Sequence, residues 1–157
     1  MPISLHPLYR DEPPNRLVGV GRDEGVIRRL RSQFRMVRAQ GDALAKIFYA
    51  RLFEQYPSVR PMFRTDPAIQ RGKLMDSLEV VMKFLDHPTE QADYLRQMGA
   101  RHAGYGALPV HYEIVSGLLA DAVTEVLGEQ ADEETRADWY NAFRLISDQM
   151  LAGTPPD

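Results

Sequence analysis

The chain has 157 residues, 44% of them hydrophobic and 9% aromatic, which is enough for one domain with its own core. A formal net charge of −3 gives no electrostatic drive toward phosphate backbones, so nucleic acid is not expected as a partner. The absence of cysteine excludes disulfides, iron–sulfur clusters, thiol nucleophiles and Cys-ligated zinc, and fits a reducing compartment.

No apolar run approaches the roughly 20 residues of a membrane span, and the polar, proline-bearing start lacks the apolar stretch of a secretion signal. The expectation is a cytoplasmic protein with no membrane partner. Residues 1–21 carry Pro2, Pro7, Pro13, Pro14, Gly19 and Gly21 without a helical period. They read as an extended or disordered N-terminal extension, followed by a domain over 22–153 and a short tail at 154–157.

From Asp23 the pattern changes. Val26/Ile27, Leu30, Phe34 and Val37 recur at three or four residues, with Arg28, Arg29, Arg31, Arg35 and Arg38 on the other faces. The arginines read as a solvated helix face, with an acidic partner as the other possibility. After a break at Gln40-Gly41, a second helix carries Leu44, Ile47, Phe48, Leu52 and Phe53 and ends near Tyr56-Pro57. A brief helical turn, Ser58 to Met62, leads to Phe63.

Thr65-Asp66-Pro67 reads as a helix start, because Thr or Asp caps free amides and proline suits the first turn. The helix it opens has Leu74, Leu78, Val81 and Leu85 on one face, which continues backward to Gln70. Thr89-Glu90 opens the next helix, on which Leu95, Met98 and His102 share a face before Gly104 and Gly106 end it. Helices after Pro109 and from about Asp132 complete the chain; the last presents Trp139, Phe143, Ile146 and Met150. Without strand alternation or repeats, about seven helices make an all-α fold, either a bundle or a globin-like crossing arrangement.

Three polar residues stand on apolar faces. A single histidine beside apolar residues is commonly a packing residue, but His102 faces company. Gln70 puts an amide on a buried helix face, which costs about 1 to 3 kcal/mol without a partner. Tyr49 lies inside an apolar stretch, where a phenol normally finds an acceptor. One neutral imidazole on a helix, with a phenol and an amide opposite, can hold a haem iron and its small ligand. The glycines around His102 would let backbone approach a flat macrocycle. His6, His87 and His111 do not share helical spacing with His102, so a metal-binding bundle fits poorly and these three read as solvent-facing.

The runs Phe48-Tyr49-Ala50-Arg51-Leu52-Phe53 and Pro57-Ser58-Val59-Arg60-Pro61-Met62-Phe63 resemble the bacterial single-domain globins and the globin part of flavohaemoglobins. So do Gln70 with Lys73-Leu74-Met75, and Arg101-His102 followed by Tyr112. The resemblance spans about residues 25–152. It implies a globin-like fold around haem b (iron protoporphyrin IX), with His102 as proximal iron ligand. It places Phe63, Lys73, Met98 and Tyr112 beside the cofactor and Tyr49, Gln70 and Leu74 around the gaseous ligand.

The implied ligands are dioxygen, CO and NO, with dioxygen held tightly and released slowly. Tyr49 and Gln70 would be the catalytic groups if the protein oxidises nitric oxide with electrons from a separate reductase. A monomer or weak homodimer is expected. In flavohaemoglobins a glutamate late in the last helix joins the tyrosine in hydrogen-bonding the proximal histidine. The matching place here is about Thr154, past Gly153, which implies a neutral or backbone acceptor and a weaker imidazole donor. The other reading is a cofactor-free globin-fold sensor or interaction module. In it Tyr49, Gln70 and His102 only pack, and the arginine-rich first helix or the N-terminal arm binds a partner.

Overall fold

The computed structural model describes residues 24–155, so the N-terminal extension and His6 lie outside the described residues. Among the described residues are six α-helices and two short 3-10 segments, with no strand. The fold is therefore all-α.

Helix α1 (Glu24–Arg38) turns Val26, Ile27, Leu30, Phe34 and Val37 inward, as the spacing predicts. Full burial of a residue such as Leu30 contributes about 1.5 to 3 kcal/mol. Its arginines behave differently from the expectation of a solvated face. Arg29 pairs with Asp132, Glu134 and Asp138 near the last helix. Arg31 donates to the carbonyls of Met82 and Lys83 and to Asp86, and Arg38 pairs with Asp76. Three of the five are thus ties between elements, and only Arg28 and Arg35 are fully exposed.

Gly41, at φ +70°, makes the turn into α2 (Ala43–Gln55), a conformation disfavoured for residues with a Cβ. Pro57 stops α2 and begins a 3-10 turn (Pro57–Met62) that ends in extended Phe63. Asp66 then caps α3 (Pro67–Lys83), accepting from the Ala68 and Ile69 amides at 3.1 and 3.4 Å. Proline is also the first residue of α4 (Pro88–Gly104) and α5 (Pro109–Leu127), where its missing N–H is harmless. The α4 start is thus one residue earlier than Thr89-Glu90. Gly128 closes α5 and leads into a 3-10 segment, Gly128–Gln130, that the periodicity does not reveal. The last helix, α6 (Thr135–Ala152), begins three residues later than Asp132, whose carboxylate instead accepts from Glu134 and Thr135 in the preceding turn.

The core runs between α5, α6 and the inner faces of α1, α2, α3 and α4. Trp139 is 1% exposed, and its indole N–H donates to the Gln33 side-chain oxygen Oε1 at 2.7 Å, so the largest core side chain is also hydrogen-bonded. Among the described residues no helix is long and apolar enough to cross a membrane.

Candidate functional site

Helices α2 and α3 with the turn between them build one wall of the site. Phe48 points into the core at 3% exposure, so its neighbour Tyr49, one helical step round, falls at the core's edge. The Tyr49 ring stacks on Phe53 at 5.8 Å between centroids and meets the Phe63 edge at 5.6 Å. Phe53 and Phe63 close the triangle at 5.3 Å. Gln70, in the first turns of α3, donates an amide N–H to the Tyr49 hydroxyl at 3.2 Å. That bond uses the phenol oxygen as acceptor and leaves the phenol O–H free to donate elsewhere. Burial pushes the Tyr49 phenol above its ordinary pKa, while the Gln70 bond pulls the other way.

These residues line a cleft of about 310 Å³, whose other walls include Arg60, Arg64, Thr65, Asp66 and Arg71. Of the residues singled out in the sequence, the structure brings Tyr49, Phe63 and Gln70 together there. His102, Leu74, Lys73, Met98 and Tyr112 do not form its lining. Leu74 is half-buried one turn beyond Gln70, and Lys73 is on the exposed side of α3. The arginines were not singled out, although two of them, Arg60 and Arg64, flank Phe63 in sequence.

Helix α4 carries His102, which lies outside this cleft lining. Leu95 and Met98 are buried, and His102, on the same face, is partly exposed. Its Nδ1 lies 2.8 Å from the Met98 carbonyl oxygen. A carbonyl only accepts, so Nδ1 is the donor here, and in the neutral ring Nε2 keeps a lone pair. The acceptor is neutral backbone, and α6 ends at Ala152 with Gly153 as its cap, so Thr154 lies beyond the helix.

Gly99, three residues before His102, faces the last helix. A Cβ on Gly99 would overlap the Met150 carbonyl, and one on Gly153 would overlap the Arg96 carbonyl. Gly99 therefore lets α4 touch α6 backbone to backbone, and no approach to a cofactor is needed to explain it. Gly106, at φ +91°, turns the chain after His102, and a Cβ there would lie 3.9 Å from the Met62 side chain.

Tyr112, on α5, is 7% exposed, and its hydroxyl has no hydrogen-bond partner among the described residues. Burial raises its pKa. His111 departs from the solvent-facing expectation: it is half-buried, and its Nδ1 accepts the Leu108 N–H at 2.9 Å, capping α5. His87 is exposed, with 58% of its side chain open to solvent.

The sequence model of the globin family matches residues 46–150, and the chain belongs to that family. It is 29% identical over 120 residues to a flavohaemoprotein of Pseudomonas aeruginosa, covering 74% of this chain and 30% of the relative. The chain thus spans about 30% of the length of the curated relatives it matches. Among solved structures, an engineered carbene transferase from Rhodothermus marinus is similar at a TM-score of 0.73 and 28% identity, over 83% of this chain and 91% of that one. A bacterial globin from Campylobacter jejuni shares the fold at a TM-score of 0.73 and 23% identity, over 83% of this chain and 94% of that one.

Proposed function

We propose that this globin binds haem b through His102 and takes dioxygen, carbon monoxide or nitric oxide as its small ligand. The observation that carries the reading is the His102 imidazole, whose Nδ1 proton is committed to the Met98 carbonyl so that Nε2 presents a lone pair. The surroundings fit a large flat cofactor. Tyr105, Leu108 and Val110, on and just after the turn that follows His102, are 65%, 56% and 38% exposed, an apolar rim that a macrocycle would cover. The buried Tyr112 hydroxyl lacks a partner within the described protein, as expected of a group that faces a bound cofactor or an ordered water.

When bound, haem supplies a ferrous iron able to take up diatomic gases. The protein's part is to position and to hold. His102 offers Nε2, Phe63 and Met98 supply apolar contact, Lys73 and Tyr112 flank the cofactor, and Leu74 closes the ligand side. Tyr49 donates its free O–H to a polar ligand, and Gln70 fixes the phenol's orientation while retaining a second N–H. A neutral carbonyl behind His102 raises the imidazole's basicity less than a carboxylate does, which favours reversible binding over peroxidase-like chemistry.

Oxidation of nitric oxide is the finer form of the proposal. The Rhodothermus marinus neighbour derives from a candidate nitric oxide dioxygenase, and flavohaemoproteins are relatives of this chain. Turnover would draw electrons from a reductase, with Tyr49 and Gln70 as the catalytic pair.

The test is an absorption spectrum of the purified protein in the ferric, dithionite-reduced and air-exposed states, repeated for His102→Gly with and without imidazole. An intense Soret band that shifts to a long-lived oxygenated form is expected, with haem lost in the variant and regained with imidazole. A colourless protein that also rejects added haemin would overturn the reading in favour of a cofactor-free module. A normal five-coordinate spectrum in the variant would remove His102 as the ligand.

A further inference from the structure

Most arginines in the described chain are matched by carboxylates: Arg29, Arg31, Arg38, Arg51, Arg71, Arg96 and Arg136 all make ion pairs. Arg28, Arg35, Arg60, Arg64 and Arg101 make none among the described residues, and of these five Arg60 and Arg64 line the cleft. Both are exposed, both line the cleft that holds Tyr49 and Gln70, and neither has a carboxylate partner among the described residues. Arg60 is held in place by its neighbour, its guanidinium lying 4.5 Å from the centre of the Phe53 ring. That contact uses the flat face of the guanidinium and leaves its N–H edges available.

The remaining charges in the cleft offset these two only in part. Arg71, a third cleft cation, is bound to Asp42 at 2.9 Å. The only acidic residue in the lining, Asp66, caps α3 through one carboxylate oxygen, which accepts the Ala68 and Ile69 amides, and its single negative charge leaves the two arginines in excess. The remaining polar groups of the cleft, the Tyr49 hydroxyl, the Gln70 amide and the Thr65 hydroxyl, can all donate. Two unmatched planar cations around a set of donors are suited to a carboxylate or small oxyanion, which guanidinium binds in a two-pronged manner.

We infer that Arg60 and Arg64 form a carboxylate- and oxyanion-binding mouth on the Tyr49–Gln70 cleft. The anion has two possible sources of the same chemistry: the carboxylate side chains of the bound macrocycle, or a free anion from solution. The first rests on the haem reading; the second does not.

The experiment compares the full chain with an R60Q/R64Q double variant and with an R28Q/R35Q control, which removes the same charge from exposed positions outside the cleft lining. Each is titrated at low ionic strength with haemin, with haemin dimethyl ester, and with inorganic phosphate. If the macrocycle supplies the anion, the wild type and the control bind haemin about tenfold more tightly than the diester, and R60Q/R64Q loses that preference. If a free anion is the occupant, haemin and diester bind alike, and calorimetry shows phosphate binding to the wild type and control but not to R60Q/R64Q.

Equal behaviour of all three proteins toward all three probes would overturn the inference, as would an equal loss in the control, which would reduce the effect to net charge. Failure of either porphyrin to bind, with phosphate binding still dependent on Arg60 and Arg64, would sink the haem reading and leave the anion site standing.

Discussion

The His102 side and the Tyr49 side of the molecule are held by different means. On the His102 side, α4 meets α6 through bare backbone, because neither Gly99 nor Gly153 has room for a Cβ against the carbonyls it faces. The histidine's own partner is the carbonyl one turn earlier on the same helix. On the Tyr49 side, α2 and α3 face a cleft across side chains: a ring triangle, one phenol–amide hydrogen bond and the Arg71–Asp42 pair. Backbone contact between packed helices has little freedom to yield, whereas side chains can be exchanged without moving the helix beneath them. The wall that would hold the cofactor is thus rigid, and the wall that would meet the ligand is adjustable.

The sharpest way to break that contrast is Gly99→Val. The added side chain cannot avoid the Met150 carbonyl without separating α4 from α6, so unfolding stability should fall by about 3 kcal/mol or more. Urea denaturation reads this directly. An unchanged midpoint would mean that α4 can shift at no cost, and the rigid wall would not exist.

On the adjustable wall, Tyr49→Phe keeps the ring packing and removes only the hydroxyl. Its effect should appear in function more than in stability: oxygen release in the haem-loaded protein should quicken by about tenfold, because a hydrogen bond worth roughly 1.5 kcal/mol is lost. Stopped-flow displacement of oxygen measures it, and an unaltered rate would take the phenol out of the ligand's reach.

Asp66→Ala removes the cap of α3, the helix that carries Gln70. A loss of about 1 kcal/mol is expected, with hydrogen exchange rising first in the opening turns of α3. Loss of protection spread evenly over α4 and α6 would contradict the separation of the two walls.

The smallest effects concern pH. Asp42 titrates below its usual range because Arg71 donates a hydrogen bond to it, and Asp86 does so because of Arg31. A carboxylate whose folded pKa is depressed contributes stability above its unfolded value, and loses it as pH falls through the folded one. Acid below about pH 4 should therefore loosen the joints of α3 with α2 and α1 before the α4–α6 contact, which hydrogen exchange at graded pH can follow. In the alkaline direction, burial raises Tyr49 and Tyr112, so both should form tyrosinate later in the folded protein than in the unfolded chain, with stability falling once pH passes about 10. Tyrosinate absorbance during base titrations of the folded and the urea-unfolded protein checks the order.

The sequence alone determined the helices and the candidates for the site. Apolar residues three and four apart located every α-helix among the described residues to within a few residues, Asp66-Pro67 and Pro109 marked where α3 and α5 begin, and Thr89 fell one residue past the start of α4. Tyr49 and Gln70 stood out as polar groups on apolar faces, and the structure joins them by a hydrogen bond. What tertiary structure decided were relations between distant segments. Arg29 and Arg31 look like surface charge on α1 until Asp138 and the end of α3 are brought beside them. Gly99 resembles a gap beside the histidine until α6 fills it, and Arg60 and Arg64 acquire a shared purpose only when the turn around Phe63 closes on Gln70. Helical periodicity records which face of each helix is buried, because 3.6 residues make a turn. It does not record what lies against that face, since the partner is set by packing between helices far apart in the chain.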